Sequence, residues 1–238
     1  MIDLHVDSGA DATISVIEVD PKEASRFGIM AVDKTDRITE FQEKPKKPKS
    51  NLASMGVYVF TWKVLRKYLI ADKALDTNHD FGGDIIPAML NDGLKLQAYR
   101  FKGYWRDVGT LDSLHEANMD VALDRSDLHF HGDRSTRIYT EDTYSLPHYL
   151  GREASIKSSI CNQGAIVLGN VNSSVISNEV LIEEDAVVDR CVVMEGSVIK
   201  RGAKVYNAIV APNTTIESGV VVNANSKEIA LVGGKVSH

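Results

Sequence analysis

The chain has 238 residues, of which 43% are hydrophobic and 25% are charged, and its formal net charge is −6. This length fits one large domain or two smaller ones. The acidic balance argues against a nucleic-acid partner, which requires a cationic face on the protein. No apolar run is long enough to span a bilayer, and the first residues lack the basic and apolar regions of a signal peptide. We therefore expect a cytoplasmic protein without a nucleic-acid or membrane partner.

The two cysteines, Cys161 and Cys191, do not form a Cys-x-x-Cys pair. Their number and spacing argue against both a zinc site and a disulfide framework. We expect two small buried thiols in a reducing compartment.

Strand-like and helix-like segments alternate up to about residue 124. In chain order, the sequence predicts a strand at 12–19, a strand at 52–60, helices at 62–69 and 84–90, a strand at 94–101, and a helix that begins after residue 110. Thr110 suits the N-cap of this last helix, and Leu111, Leu114, Asn118 and Val121 share one of its faces. Such alternation is typical of α/β architecture.

Residues 125–150 have no steady period, and we interpret them as a linker. From 151 to 238 the pattern changes, and aliphatic residues recur every five or six positions: Ile160, Ile166, Val171, Ile176, Ile182, Val187, Val193, Ile199, Val205, Val210, Ile216 and Val222. A triangular parallel β-helix requires this spacing, since each side of a coil contributes one inward residue. The sequence therefore predicts a left-handed parallel β-helix with a C-terminal tail after Val222. A β-sandwich of short strands is the alternative.

Four clusters in the first region are candidates for a functional site. They are Phe27-Gly28-Ile29-Met30, Phe41-Gln42-Glu43-Lys44-Pro45 followed by Ser54-Met55-Gly56, His79-Asp80-Phe81-Gly82, and Tyr104-Trp105-Arg106-Asp107-Val108-Gly109-Thr110. Each cluster alone also fits a purely structural role. Glu43 and Lys44 fit a solvated surface pair, Gly28 fits a close-packing glycine, and Asp80 fits a helix cap.

Together and in this order, the clusters resemble the sugar-1-phosphate nucleotidyltransferases, and among them the bacterial glucose-1-phosphate adenylyltransferases. The FQEKP, SMG, HDFG and WRDVGT segments carry the resemblance, which runs through essentially the whole chain. It implies part of a Rossmann-like catalytic domain in 1–124, followed by the β-helix. It also implies the reaction of ATP with α-D-glucose 1-phosphate to give ADP-glucose and diphosphate, with Mg²⁺, in glycogen biosynthesis.

The resemblance also implies a role for each site residue. Both reactants are anions, so cations must offset their repulsion. Lys44 matches the lysine that holds the sugar phosphate, and Glu43 matches the acceptor for glucose hydroxyls. Ser54 matches a hydroxyl that contacts the sugar, and Gly28 matches a position where the backbone approaches the sugar closely.

Asp107 matches a carboxylate that holds Mg²⁺, a cation that prefers oxygen ligands. Lys44 and Asp107 are thus the two residues expected to take part in catalysis. Asp80, Phe81 and Trp105 are expected to line the pocket without a chemical step of their own.

The sequence departs from the family pattern in its ATP-binding part. The family begins with a glycine-rich loop that wraps the ATP phosphates and carries a second metal-binding aspartate, and neither is found in these residues. The resemblance therefore implies an N-terminally truncated member in which the ATP site is mostly missing. Losing one preorganised electrostatic group commonly lowers an enzyme's rate about 100- to 1,000-fold. We therefore expect no ADP-glucose formation by these residues alone.

Two other functions fit parts of the sequence. A non-catalytic regulatory or assembly subunit of the same enzyme would not need an ATP loop, although it would have no chemical need for Lys44, Glu43 and Asp107 either. A hexapeptide-repeat acyltransferase would use a histidine on the β-helix as its base, and residues 151–237 contain no histidine.

The resemblance also implies a homo-oligomer, a tetramer in the full-length family. It further implies regulation by sugar-phosphate or nucleotide effectors. Lys200, Arg201 and Lys204 form a basic cluster that is a candidate contact for such anions, although a solvated polar face explains the cluster equally well.

Overall fold

A computed structural model of the protein describes residues 1–125 and 142–237. The chain divides into two compact units, Met1–Gly103 and Tyr104–His238. The sequence-based division put the domain boundary after residue 124. In the structure, residues 104–124 group instead with the β-helix. Most of the predicted linker, 126–141, lies outside the described residues. Among the described residues, no helix is both long and apolar enough to cross a membrane.

The first unit is a five-stranded sheet with helices. Its elements are α1 (Ile2–Ser8), β1 (Ala12–Glu18), a 3-10 turn (Ala24–Arg26), β2 (Gly28–Val32), β3 (Ile38–Glu43), β4 (Leu52–Phe60), α2 (Trp62–Asp72), a π-helical turn (Phe81–Ile85), α3 (Ile86–Asn91) and β5 (Leu96–Arg100). The sheet order is β3-β2-β4-β1-β5, and only the β1–β5 pair is parallel. The predicted strands and helices of this unit are confirmed, whereas α1, β2 and β3 are absent from the sequence-based prediction.

The core of the first unit forms around β1, whose first five residues are all buried. Strands β4 and β5 pair with its two edges. Ile14 and Val16 belong to an apolar cluster that includes Ile86 and Met89 of α3 and Leu96 of β5. This burial explains why β1 is rich in apolar and β-branched residues, as is usual for a strand inside a sheet.

The second unit begins with α4 (Leu111–Ala122). The Thr110 side chain accepts a hydrogen bond from the backbone N–H of Ser113 at 3.2 Å, which confirms the predicted N-cap. The four residues predicted to share one face of α4 are not the ones that are most deeply buried. Leu111 remains 43% exposed, whereas His115 and Met119 are buried. Met119 packs in a cluster with two residues of the β-helix, so contact with that surface decides which face of α4 is covered.

A parallel β-helix forms the rest of the second unit. Its strands are β6 (Tyr149–Leu150), β7 (Ser155–Lys157), β8 (Ile160–Cys161), β9 (Ile166–Val167), β10 (Asn170–Asn172), β11 (Val175–Ile176), β12 (Leu181–Ile182), β13 (Val187–Val193), β14 (Val198–Ile199), β15 (Lys204–Val210), β16 (Thr215–Ile216), β17 (Val221–Val222), β18 (Ala230–Val232) and β19 (Lys235–Val236). All their pairings are parallel. The predicted parallel β-helix is therefore confirmed. Its tail is not separate, because β18 and β19 pair with β15 and β16 as further strands of the helix.

Nine of the twelve predicted inward residues are buried in the interior of the β-helix. The other three, Ile160, Ile166 and Val187, are each displaced by one position. Their neighbours Cys161, Val167 and Val188 occupy the inward columns instead, in register with Ile176, Ile182 and Val205 of the adjoining coils. Successive residues of a strand point to opposite faces, so an adjacent pair of apolar residues does not itself show which one points inward.

One corner of the β-helix is shorter than the others. The inward residues Val167 and Val171 are four positions apart, whereas Ile182 and Val188 of the next coil are six apart. Gly169 lies in the short corner. A Cβ there would stand 2.5 Å from the carbonyl oxygen of Ala186, which is backbone and cannot turn aside. Only glycine therefore allows this close stacking of successive turns.

The corrected register makes a prediction about two adjacent residues. Val167→Asp would place an unpaired carboxylate in the interior and should lower the free energy of unfolding by about 3–5 kcal/mol. Ile166→Asp is the matched control, because Ile166 is 42% exposed and its replacement should cost less than about 1 kcal/mol. Urea unfolding of both variants measures the difference. Equal losses would contradict the register.

Candidate functional site

The site in the first unit is centred on the carboxylate of Glu43, the last residue of β3. Glu43 lies opposite Gly28 of β2 in the sheet. A Cβ on Gly28 would stand 2.5 Å from Phe41 Cζ and 3.0 Å from Glu43 Oε2. A Cβ on Gly82, in the π-helical turn, would stand 2.6 Å from Glu43 Oε2. The carboxylate can occupy this position only because both neighbouring backbones lack a side chain.

Lys44 places a cation beside this carboxylate. Its backbone has a positive φ of 42°, and its N–H donates to the carbonyl oxygen of Phe27 at 3.1 Å. Its Nζ lies 3.5 Å from Glu43 Oε1, and the two side chains are 67% and 36% exposed. Such a pair adds little to stability, so both groups remain available to a ligand.

A bulge in β4 brings Ser54 and Tyr58 together. Ser15 of β1 lies opposite three residues of β4, 55–57, where a regular pair would have one. Gly56, at the middle of the bulge, has a φ of 71°, a conformation that favours glycine. Residues four apart in a regular strand are about 13 Å apart, whereas here the side chains of Ser54 and Tyr58 are hydrogen-bonded.

The hydroxyl of Tyr58 stays protonated beside the polar groups of the site. Burial raises its pKa above the ordinary value, the hydrogen bond with Ser54 lowers it, and the charges of Glu43 and Asp80 raise it further. The net shift is upward, so Tyr58 stays protonated at neutral pH and keeps a hydrogen to donate. Glu43 and Asp80 share one site, because a Cβ on Gly82 would stand 2.6 Å from Glu43 Oε2 and 3.3 Å from Asp80 Oδ1.

Asp80 and Phe81 enter the site from the segment between α2 and α3. Asp80 caps the π-helical turn, because its Oδ1 accepts the N–H of Gly83 at 2.5 Å. The ring of Phe81 stacks on Tyr58 and Phe60, with centroid distances of 5.7 and 5.5 Å. Phe81 nevertheless remains 37% exposed. It thus presents an aromatic surface next to the polar groups.

Trp105 and Asp107 belong to the second unit. Arg106, between them, forms ion pairs with Glu116 and, at 2.7 Å, with Asp120, both on α4. Asp107 Oδ1 accepts the N–H of Gly109 at 3.3 Å. The structure thus brings six of the eight predicted site residues together in the first unit, and anchors the segment that bears the other two to α4.

These features can be compared with known proteins. The sequence pattern described as nucleotidyl transferase matches residues 1–123. The chain belongs to this family. A second pattern, described as the GlmU-like C-terminal hexapeptide region, matches residues 146–230, which contain most of the β-helix.

Individual relatives of this chain carry a more specific name. The chain is 43% identical to a glucose-1-phosphate adenylyltransferase of Bacillus cereus over 235 residues, which are 98% of this chain and 62% of that protein. Proteins with the same name from Bacillus anthracis and Bacillus mycoides are 43% and 42% identical with the same coverage. The chain thus spans less than two thirds of the length of these relatives.

Two residues of the site were missed by the sequence analysis. Tyr58 comes next to Ser54 only through the bulge in β4, which the local spacing does not reveal. Gly82 belongs to the HDFG segment but received no role, because its contact with Glu43 exists only after β3 and the π-helical turn come together.

The basic cluster of the β-helix, Lys200, Arg201 and Lys204, is largely paired with carboxylates. Lys200 Nζ lies 2.8 Å from Glu217 Oε2, and Arg201 lies 3.0 Å from Glu184 Oε2. Each partner stands on a neighbouring coil. These ion pairs reduce the positive charge available to an anionic effector, so contact with an effector stays a prediction.

Asp107 is the residue that is expected to hold Mg²⁺. The described residues contain no group of three or more His, Cys, Asp or Glu side chains arranged for a metal ion. Mg²⁺ is commonly held by one or two carboxylates, with phosphate and water oxygens as the other ligands. The single carboxylate of Asp107 therefore fits one ligand of such an ion rather than a complete protein site.

The contact at Gly82 makes a second prediction. In Gly82→Ala the new methyl should displace the Glu43 carboxylate, which is the end of a flexible side chain. The free energy of unfolding should change by less than about 1 kcal/mol, because alanine favours helical backbone over glycine by a similar amount. The ¹³C resonance of the Glu43 carboxylate should shift in Gly82→Ala and stay unmoved in the control Gly83→Ala, whose methyl would meet Asp80 instead. An unmoved resonance in both variants would disprove the contact.

Proposed function

We propose that this chain is the sugar-phosphate-binding part, with the β-helix, of a glucose-1-phosphate adenylyltransferase. The reaction converts ATP and α-D-glucose 1-phosphate into ADP-glucose and diphosphate, a step of glycogen biosynthesis. The observation that carries the proposal is the cluster of Glu43, Lys44 and Asp80 beside Gly28 and Gly82 in the first unit. The names of the relatives support the same reaction.

The polar groups of this cluster suit a phosphorylated sugar. Lys44 supplies an exposed ammonium for the phosphate, a role for a compact charge on a flexible stem. Glu43 supplies carboxylate oxygens that accept hydrogen bonds from sugar hydroxyls. Tyr58 keeps its proton and can donate to a sugar or phosphate oxygen.

The remaining residues shape the pocket. Gly28 is buried, and its lack of a side chain leaves room for Phe41 and for the Glu43 carboxylate that is to accept the sugar hydroxyls. Phe81 is 37% exposed and offers its ring to the apolar side of the sugar. Ser54 contributes a hydroxyl.

The proposed reaction needs alignment rather than a covalent enzyme intermediate. A phosphate oxygen of glucose 1-phosphate attacks the α-phosphorus of ATP and forms the new P–O bond. The bond from that phosphorus to the bridging oxygen breaks, and diphosphate leaves with the electron pair. Lys44 and Glu43 hold the attacking anion in place, which is the main contribution of an enzyme to such a step. Mg²⁺, when bound, neutralises phosphate charge, and Asp107 would hold it.

We also propose that the chain assembles with copies of itself, as a tetramer in the complete enzyme, and responds to sugar-phosphate or nucleotide effectors. The outer face of the β-helix supports assembly. Tyr149, Ile166, Leu181 and Val198 occupy adjoining outward positions on neighbouring strands, and Tyr149 and Ile166 are exposed. A continuous apolar stripe of this kind commonly marks an interface.

Binding of glucose 1-phosphate to the chain tests the proposed function. Lys44→Ala should raise the dissociation constant about 10- to 100-fold, because a charge-assisted hydrogen bond contributes about 1.5–3 kcal/mol. Lys47→Ala is the matched control, since it removes the same charge from the same exposed basic run and should change the constant by less than about 2-fold. Isothermal titration calorimetry measures all three proteins.

Two results would count against the proposal. A wild-type chain that does not bind glucose 1-phosphate would favour the assembly-subunit alternative. Equal weakening in Lys44→Ala and Lys47→Ala would show a general charge effect rather than a phosphate contact by Lys44.

A further inference from the structure

Asp72, at the end of α2, organises the residues that precede the pocket segment. Its Oδ2 lies 2.7 Å from His79 Nδ1, and its Oδ1 accepts the hydroxyl of Thr77 at 2.8 Å. The backbone N–H of His79 lies 3.4 Å from the same Thr77 hydroxyl oxygen. The Asp72 side chain is only 12% exposed, although the two residues it binds lie near the surface. Both of its oxygens are thus engaged by residues 77–79.

The direction of these hydrogen bonds is fixed by the carboxylate. The pKa of Asp72 is lowered, first by the hydrogen bond from His79 and then by that from Thr77. An ionised carboxylate can only accept, so Nδ1 of His79 carries the hydrogen and donates it. This bond fixes the tautomer and the orientation of the imidazole ring.

The backbone of His79 has a φ of 56°. A positive φ is uncommon for a residue other than glycine, although asparagine, aspartate and histidine adopt it more often than the rest. It persists where surrounding contacts hold it. Here the contacts are those of Asp72 and Thr77, and the conformation sets the direction in which the chain continues into Asp80.

The next three residues all contribute to the candidate site. Asp80 caps the π-helical turn, Phe81 stacks on Tyr58, and Gly82 lies against the Glu43 carboxylate. The direction of the chain at His79 therefore decides where each of these groups stands.

We propose that the Asp72–His79 pair holds the segment from Asp80 to Gly82 in the position that binds the sugar phosphate. This proposal rests on the proposed function. Asp72 and His79 are positioning residues, since they act through Asp80 and Phe81. The substrate they serve is the same phosphorylated sugar.

The experiment compares four variants of the full chain. Asp72→Ala and His79→Ala remove the pair. His79→Asn is the conservative variant, because asparagine tolerates left-handed backbone and its side-chain amide can donate to Asp72. Asp76→Ala is the matched control, because it removes an exposed carboxylate from the same connection.

Two readouts are measured on each protein. One is amide hydrogen exchange at Gly83, whose N–H donates to Asp80, compared with exchange at Ile14 in the core. The other is the dissociation constant for glucose 1-phosphate. Asp72→Ala and His79→Ala should speed exchange at Gly83 about 10-fold without changing Ile14, and should weaken binding about 10- to 100-fold. His79→Asn and Asp76→Ala should stay near the wild type.

The outcomes separate this proposal from the proposed function. Unchanged exchange at Gly83 in Asp72→Ala and His79→Ala would overturn the positioning role, and so would faster exchange at Ile14 to the same degree, which signals general destabilisation. Unchanged affinity together with faster exchange at Gly83 would overturn the link to the sugar phosphate. A wild-type chain without affinity, combined with faster exchange at Gly83 alone, would overturn the proposed function and support the positioning role.

Discussion

The candidate site depends on the close approach of two side-chain-free backbones to the carboxylate of Glu43. Gly28 comes from the neighbouring strand, and Gly82 comes from the turn that leads into α3. The sheet and the helical segment can meet at this point because neither contributes a Cβ. Lys44 follows Glu43 in the chain, with its Nζ 3.5 Å from Glu43 Oε1, and Asp80 Oδ1 also lies next to Gly82. The polar groups of the site therefore gather around this one contact.

The β-helix serves a different physical purpose. Its interior consists of stacked aliphatic columns with 0% exposure at Ile182, Ile199 and Ile216, and its strands pair in parallel from coil to coil. Each coil buries its inward residues against the coils above and below it, so stability accumulates along the stack. α4 adds Met119 to one outer face. The segment with Trp105 and Asp107 is thereby attached, through α4, to a rigid support.

Much of this architecture could be predicted from local pattern. Thr110 suits an N-cap by its chemistry alone, and the 52–60 strand is confirmed at both of its ends. The inward columns were predictable wherever one apolar residue stands between polar ones. The prediction of an inward side chain failed at Ile166. At the short corner the inward residues Val167 and Val171 are only four positions apart, which lies outside the regular spacing of five or six.

The site was only partly predictable for a related reason. Glu43, Lys44 and Asp107 lie in short motifs that resemble those of a known family, so they could be named from sequence. Tyr58 depends on a bulge, and Asp72 depends on a contact with a residue seven positions later. Both arrangements arise from the pairing of segments after folding, which no local spacing reveals. The buried face of α4 was missed because the surface of the β-helix selects it.

The unequal corners of the β-helix also bear on where the chain can change in length. The short corner at Gly169 has backbone directly against it and no space for one more atom. The corresponding corner of the next coil is two residues longer, and Glu184 and Asp185 there are exposed. Inward columns fix the sides of each coil, whereas an exposed corner can lengthen outward without moving them. Insertions, including peptide tags for labelling the protein, should therefore be tolerated at residues 184–185 and excluded at 168–170.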